Sequence, residues 1–361
     1  MTPAFRPSVF LSLLAFCCCA LLALTGCGSH PPQTAAANGG FARTRGHHRG
    51  SSEGITPATA NAFASIEAAT QLQVFLDKEN FGPGKIDGRG GEFTRKALAR
   101  YGRAHGLGAN LTTADADLAR RVPGLANTRA FTDYTVTAAD AAQIGTIPDS
   151  RAEQGKARSL PYTSLLELLG EKFHAERAFL QKLNPGKNLA SLRVGDTVRV
   201  PAVDAPLDVP ALPQHGRLLA PKPQFASRTV KINTREKLLD LFDADGRLLA
   251  TFPITPGSAA LPAPPGTWKI VNMASLPYFR YDESMLNYGV RSDNFVNLPP
   301  GPNSPVGVLW MGLNKPGIGL HGTNNPETIG RAASHGCIRL ANWDAVKLSG
   351  MVTQGMTVRI D

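Results

Sequence analysis

The sequence predicts a multidomain chain whose C-terminal part is mainly β with few helices, preceded by small α-helical and α+β modules. Three observations lead there. The chain has 361 residues, enough for two or three domains. Apolar residues make up 42% against 18% charged, a balance that a chain unable to bury a core does not have. The hydrophobic period also changes along the chain, from helical spacing before residue 184 to alternation bounded by Gly and Pro after residue 229. The 36 Gly and 28 Pro therefore punctuate many short elements, and no Gly-X-Y period marks a collagen.

Residues 1–27 come first. Arg6 precedes an uncharged run from Pro7 to Cys27, the layout of a secretory signal. The run is also close to the ~20 residues of a bilayer-spanning anchor. Leu24-Thr25-Gly26-Cys27 closes it and resembles a bacterial lipobox. That resemblance implies a lipoprotein signal over 1–26, cleavage before Cys27 and a diacylglycerol on its thiol. The expected location is the cell envelope, lipid-anchored at the periplasmic face. Residues 27–61 hold almost no large apolar side chains and read as a flexible tether. Its cluster of Arg43, Arg45, Arg49, His47 and His48 suits solubility, or attraction to anionic headgroups or wall polymer.

Residues 62–110 carry two helical faces, Ile66/Leu72/Phe75/Leu76 and Thr94/Ala97/Leu98/Tyr101, around the turn-forming stretch Phe81–Arg89. This helix, Gly-Asp-Gly loop, helix pattern resembles the peptidoglycan-binding-type helical domain; a small helical core without a ligand fits the same residues. Residues 132–201 read as a second module. Leu165, Leu166, Leu169, Phe173, Phe179 and Leu183 fit two short helices, Asn184-Pro185-Gly186 a turn, and residues 196–201 a closing strand. The stretch from Leu183 to Pro201 resembles the second half of a LysM module, with Tyr134–Val136 as the missing first strand across an insertion. That resemblance implies a grip on glycan, and a structural spacer is the other reading. Residues 202–226 are a Pro-rich linker.

The C-terminal domain spans 227–361. Val230–Ile232 alternates, and Lys237–Phe242 and Arg247–Ile254 flank Asp245-Gly246, a hairpin signal. Further strands fall at Thr267–Val271, Val306–Met311, Gly319–His321 and Met356–Ile360, and Asn342 opens a short helix over Trp343–Leu348.

The chemistry is concentrated between residues 321 and 340, HGTNNPETIGRAASHGCIRL. His321 lies sixteen residues before Cys337, and His335 two before it. One reading is a thiol nucleophile with an imidazole base, since a thiol near its ordinary pKa of ~8.5 is only slightly ionised at neutral pH. Gly336 before Cys337 leaves room for a substrate carbonyl and for backbone N–H groups aimed at an oxyanion. A metal site from His321, His335 and Cys337 would lack a fourth ligand. A purely structural role fits poorly with two Gly-flanked histidines.

His321-Gly322-Thr323, then Gly330, then Ser334-His335-Gly336-Cys337-Ile338-Arg339-Leu340 closely resembles the signature of the L,D-transpeptidase (YkuD-type) catalytic domain, over residues 227–361. The resemblance implies a β-sandwich with short helices and, at the site, a cysteine acyl-enzyme. Cys337 would attack the carbonyl of the third residue of a tetrapeptide stem and expel D-Ala. His321, oriented by a backbone carbonyl, would take the thiol proton. His335 and Gly336 would shape the oxyanion hole. Arg339, Ser334, Gly322 and Thr323 would bind substrate, Arg339 through a carboxylate fork. An amine of another stem would then resolve the thioester, with no metal or organic cofactor. Water, or a lysine of a wall-anchored protein, would serve the same thioester, and a non-catalytic wall-binding lipoprotein is the alternative of another class. The partners implied are peptidoglycan stem peptides and glycan, and the membrane through the lipid. The net charge of +10 suits an anionic wall polymer, and no basic element for nucleic acid is visible. Of the five cysteines, 17, 18 and 19 would leave with the signal and 27 would carry the lipid, which leaves one thiol, Cys337.

Overall fold

The structure is a computed structural model and describes residues 65–361 apart from 109, 215, 259–260 and 332–335. The signal, Cys27 and the tether over 27–61 lie outside the described residues.

Helix α1 (Ile66–Lys78) starts at Ser65, whose hydroxyl accepts the Ala68 N–H at 3.1 Å. Leu72, Phe75 and Leu76 are buried against α2 (Glu92–Ala104), which supplies Ala97, Leu98 and Tyr101. Ile66, grouped with that face by its spacing, is 37% exposed because it sits in the first turn, beyond the packed cluster. Leu118 of α3 (Leu118–Arg121) closes the cluster.

The next part alternates short elements: β1 (Phe131–Thr135), α4 (Ala138–Ala141), α5 (Arg151–Lys156), α6 (Leu165–Lys172), α7 (Arg177–Leu183) and β2 (Thr197–Pro201). Strands β1 and β2 pair antiparallel, Phe131 opposite Pro201 and Thr135 opposite Thr197. Leu168, Leu169, Phe173, Phe179 and Val198 form a second cluster between them. The expected linker over 202–226 touches the folded parts: Leu207 is buried, its N–H donating to the Lys172 carbonyl at 2.9 Å, and Leu219 N–H donates to the Met273 carbonyl at 2.8 Å.

The C-terminal part runs β3 (Thr229–Asn233), β4 (Leu238–Phe242), β5 (Leu248–Pro253), β6 (Gly266–Ser275), β7 (Phe279–Tyr281), α8 (Glu283–Tyr288), β8 (Val296–Leu298), β9 (Leu309–Leu313), β10 (Gly319–His321), β11 (Ile338–Arg339), α9 (Asn342–Ser349) and β12 (Thr357–Ile360). Eight strands form one sheet in the order β11-β10-β9-β6-β12-β3-β4-β5. Strand β6 joins two half-sheets: Gly266–Lys269 pairs with β12 and Ile270–Ser275 with β9, with a register shift between Ile270 and Asn272. Such a bulge bends a strand, and here it marks a corner of the sheet. The outer strands then meet, because Thr255 and Arg339 exchange two backbone hydrogen bonds of 2.9 Å. The expected sandwich is thus one curled sheet. Val230, Leu241, Phe252, Met311, Leu320 and Val358 fill it, each contributing roughly 1.5–3 kcal/mol by burial.

Edge strand β5 is covered by the segment after α1. Gly82 N–H donates to Thr251 at 2.7 Å and Thr251 N–H donates to Asn80 at 3.0 Å, which occupies backbone groups that an open edge leaves available. The expected cap of the last helix shifts by one. Ala341 is the N-cap of α9 and makes no side-chain cap. Asn342 is already helical, and its carboxamide is committed elsewhere.

Candidate active site

Strands β10 and β11 are short and parallel, with Leu320 opposite Ile338 and His321 opposite Arg339. Side chains alternate along a strand, so His321 and Arg339 share a face, and Cys337, two before Arg339, shares it too. A two-residue strand and its three-residue neighbour therefore bring together residues sixteen apart in sequence. Gly336 permits the entry to β11: its φ of +101° is a conformation that side-chain-bearing residues rarely adopt.

His321 is 4% exposed. Its Nδ1 lies 2.6 Å from the Gly322 carbonyl oxygen. A carbonyl only accepts, so Nδ1 carries the proton and, in the neutral ring, Nε2 is left as a base. The ring stacks on Trp310 at 5.6 Å between centroids, the planes 21° apart. Burial lowers the imidazole pKa to about 4; the Arg339 charge adds to that, and the hydrogen bond to Gly322 opposes it. Burial also raises the Cys337 thiol to about 11, opposed by a backbone hydrogen bond from Gly319 and by the Arg339 charge. The Sγ donates to the Gly317 carbonyl at 3.3 Å. At pH 7 both groups rest neutral. The site therefore holds a thiol beside an acceptor imidazole, and charge develops only when a proton moves.

Cys337, His321, Gly336, Arg339 and Trp310 line one cleft of about 1240 Å³. Its outer wall is the hairpin β7–β8 with α8 between its strands. Asp282 fastens this flap, accepting from Met285 N–H at 3.1 Å, Ser292 N–H at 2.9 Å and Ser292 Oγ at 2.8 Å, and pairing with Arg280. Helix α5 braces it: the Arg151 guanidinium lies 4.9 Å from the Tyr281 ring centroid, and a Cβ on Gly155 would sit 2.5 Å from Val296. The flap is thus structured from Phe279 to Leu298 rather than an open loop. The lining carries Arg151, Arg280, Arg291, Lys315 and Arg339 against Asp282 and Glu283, a cationic excess that favours carboxylate-bearing ligands.

Gly322 and Thr323 sit behind the imidazole and do not line the cleft. The Gly322 carbonyl holds the ring, and Thr323 is buried with its N–H on Asn342 at 3.2 Å. His335 and Ser334 lie outside the described residues, as does Cys27. Trp310 was not legible as a site residue, because in sequence it is one more apolar strand position. Its place depends on Gly319, where a Cβ would lie 2.7 Å from two Trp310 ring carbons.

These features sit within a recognisable region. Residues 227–360 match the model of the YkuD L,D-transpeptidase catalytic domain. The YkuD proteins of Bacillus licheniformis and of Bacillus subtilis strain 168, both named for an L,D-transpeptidase, are similar to this chain. The first is 29% identical over 195 residues, 54% of this chain and 92% of that protein. The second is 28% identical over 196 residues, 54% of this chain and 93% of that protein. Both alignments are longer than the YkuD match, so the likeness extends into residues before 227. A solved L,D-transpeptidase from Mycobacterium smegmatis is 20% identical, with a TM-score of 0.31, over 38% of this chain and 59% of that one; the chain thus spans less than two thirds of its length.

Proposed function

We propose that this protein is a peptidoglycan L,D-transpeptidase that works through a cysteine acyl-enzyme. The observation that carries the reading is the placement of Cys337 and His321 on one face of the β10–β11 pair, in a cleft biased toward carboxylates, inside the region that matches the YkuD catalytic domain. Cys337 Sγ attacks the carbonyl of the third residue of a tetrapeptide stem, and its proton passes to His321 Nε2. The tetrahedral intermediate collapses, the C–N bond to D-Ala breaks, and the leaving amine takes the proton from the imidazolium. An amine of a second stem then attacks the thioester. Its proton returns through His321 to the thiolate as the C–S bond breaks, leaving a cross-link. Gly336 and His335 shape the oxyanion setting, and Arg339 binds a stem carboxylate.

The same proposal covers the N-terminus: residues 1–26 export the chain, Cys27 carries the lipid, and the tether and front modules hold the enzyme at the wall on the periplasmic side.

The test is product analysis by mass spectrometry with a disaccharide-tetrapeptide, alone and with an acceptor stem. Cross-linked dimer with loss of D-Ala is expected from the wild type, and none from a folded Cys337→Ala variant. Dimer from Cys337→Ala would remove the cysteine mechanism. Tripeptide as the sole product would make the enzyme a carboxypeptidase and reject the cross-linking step.

A further inference from the structure

The peptide unit between Gly322 and Thr323 is held at both ends. Its carbonyl accepts the His321 Nδ1 proton, and its N–H donates to Asn342 Oδ1 at 3.2 Å. The same oxygen accepts from Val308 N–H at 3.1 Å. Two backbone donors on one carboxamide atom fix which end is oxygen, so Nδ2 must point the other way. It points to Glu171, 3.1 Å from Oε1 and 2.9 Å from Oε2. Tyr162 Oη completes the carboxyl's shell at 3.1 Å. Asn342 and Glu171 are both buried.

The space around the carboxamide allows no alternative seat. A Cβ on Gly322 would lie 2.1 Å from Asn342 Oδ1, and one on Gly307 2.0 Å from it. Asn342 is therefore wedged between two backbone segments of the site and can turn only if its amide leaves Glu171 and the more distant Pro302 carbonyl at 3.5 Å. Buried hydrogen bonds in series polarise one another, and an unmet member is costly.

We infer that Glu171, which lies before the matched catalytic region, is a positioning residue for His321, acting through Asn342 on the peptide unit that holds the imidazole. The α+β part of the chain thus completes the catalytic domain's site from behind, rather than serving only as a separate glycan-binding module. Burial raises the Glu171 carboxyl to about 8, so an uncharged acceptor suffices there and Gln substitutes for it.

The inference rests on the transpeptidase reading for its kinetic arm and is independent of it in its spectroscopic arm. Glu171→Met keeps length and removes the acceptor; Glu171→Gln keeps the acceptor. With the tetrapeptide substrate, Glu171→Met is expected to lower kcat about 10- to 100-fold with KM within about twofold, the scale of a small misplacement at the reacting centre. Glu171→Gln is expected to match the wild type. In 15N histidine spectra, assigned by loss of the signal in His321→Gln, the wild type and Glu171→Gln show His321 as the Nδ1–H tautomer, and Glu171→Met a mixture. Should Glu171→Met fail to fold, Glu171→Ala is read in its place by the same two measurements. A folded Glu171→Met or Glu171→Ala protein with wild-type kcat and a pure Nδ1–H tautomer overturns the inference, and so does a Glu171→Gln variant as impaired as either. Wild-type protein that shows the Nδ1–H tautomer but forms no acyl product defeats the transpeptidase reading alone.

Discussion

Gly319→Ala is the sharpest test of how the site is built. The added methyl carbon would lie 2.7 Å from Cη2 and from Cζ2 of Trp310, and 2.9 Å from the Met311 carbonyl oxygen. Non-bonded carbons settle near ~3.5–4.0 Å, so the indole must retreat by roughly 1 Å. The same indole stacks on His321 at 5.6 Å, so the imidazole moves with it or loses its support. A displacement of that size at a reacting group costs on the order of 100-fold in rate. Overpacking adds about 1–3 kcal/mol of destabilisation, a Tm fall of roughly 2–5 °C for a chain of this size. The assay pairs kcat for the tetrapeptide with a thermal melt. The double variant Gly319→Ala/Trp310→Leu should recover part of the stability, since the Met311 backbone contact persists, yet recover none of the rate. A Gly319→Ala enzyme with wild-type kcat would refute the argument that Trp310 seats the base.

Three other predictions rest on the electrostatics of the site and on the junction where α9 meets α1 through Lys347 and Asp77. Because burial raises the Cys337 thiol to about 11 and lowers His321 to about 4, iodoacetamide should modify Cys337 slowly at pH 7, with a rate climbing about tenfold per pH unit toward 9, as expected when the thiolate is the nucleophile. The acid limb of kcat/KM should fall near 4, where His321 protonates; a pH-independent alkylation rate between 6 and 8 would mean a preformed thiolate instead. At the junction, Lys347 Nζ binds Asp77 Oδ1 at 2.8 Å and the Asp77 carbonyl at 2.7 Å, while His174 Nδ1 lies 3.1 Å from each carboxylate oxygen. Burial works to raise the Asp77 pKa, and its partners outweigh it and hold it below 3.8. Lys347→Met strands that carboxylate and should cost about 3–5 kcal/mol in denaturant unfolding at pH 7. Since the folded pKa of Asp77 lies below the unfolded one, its contribution is complete above 3.8 and lost as pH falls toward the folded value. The deficit of Lys347→Met should therefore shrink on acidification, and a deficit that stays constant down to pH 3 would contradict the charged pair.

Much of the fold was legible because it is local. The faces of α1 and α2, the Asp245-Gly246 hairpin and the strand at Gly319–His321 all follow from spacing and turn chemistry within a few residues. The pairing of β1 with β2 was legible as well, from a half-motif looking for a strand. The two-residue strand β11 was not, since no periodicity can show in two residues; nor was the folded flap, whose elements are held by Asp282 bonds and by α5 rather than by a strong apolar repeat. Asn342 illustrates the limit most clearly. Its residue type and position suit a helix cap, and only a carboxyl 171 positions earlier in the chain explains why it faces the other way.

Residue types and spacing alone single out the candidate pair, Cys337 and His321, each beside a glycine, in a stretch most of whose strands and turns were readable in order. Tertiary structure decided how that pair is held. The parallel register of β10 and β11 put the two side chains on one face, Gly319 let Trp310 support the ring, and Asn342 with Glu171 secured the peptide behind it. The physical reason is that residue chemistry and short-range backbone preference are written locally. Burial, tautomer and ring orientation are set by neighbours that the chain brings together only on folding.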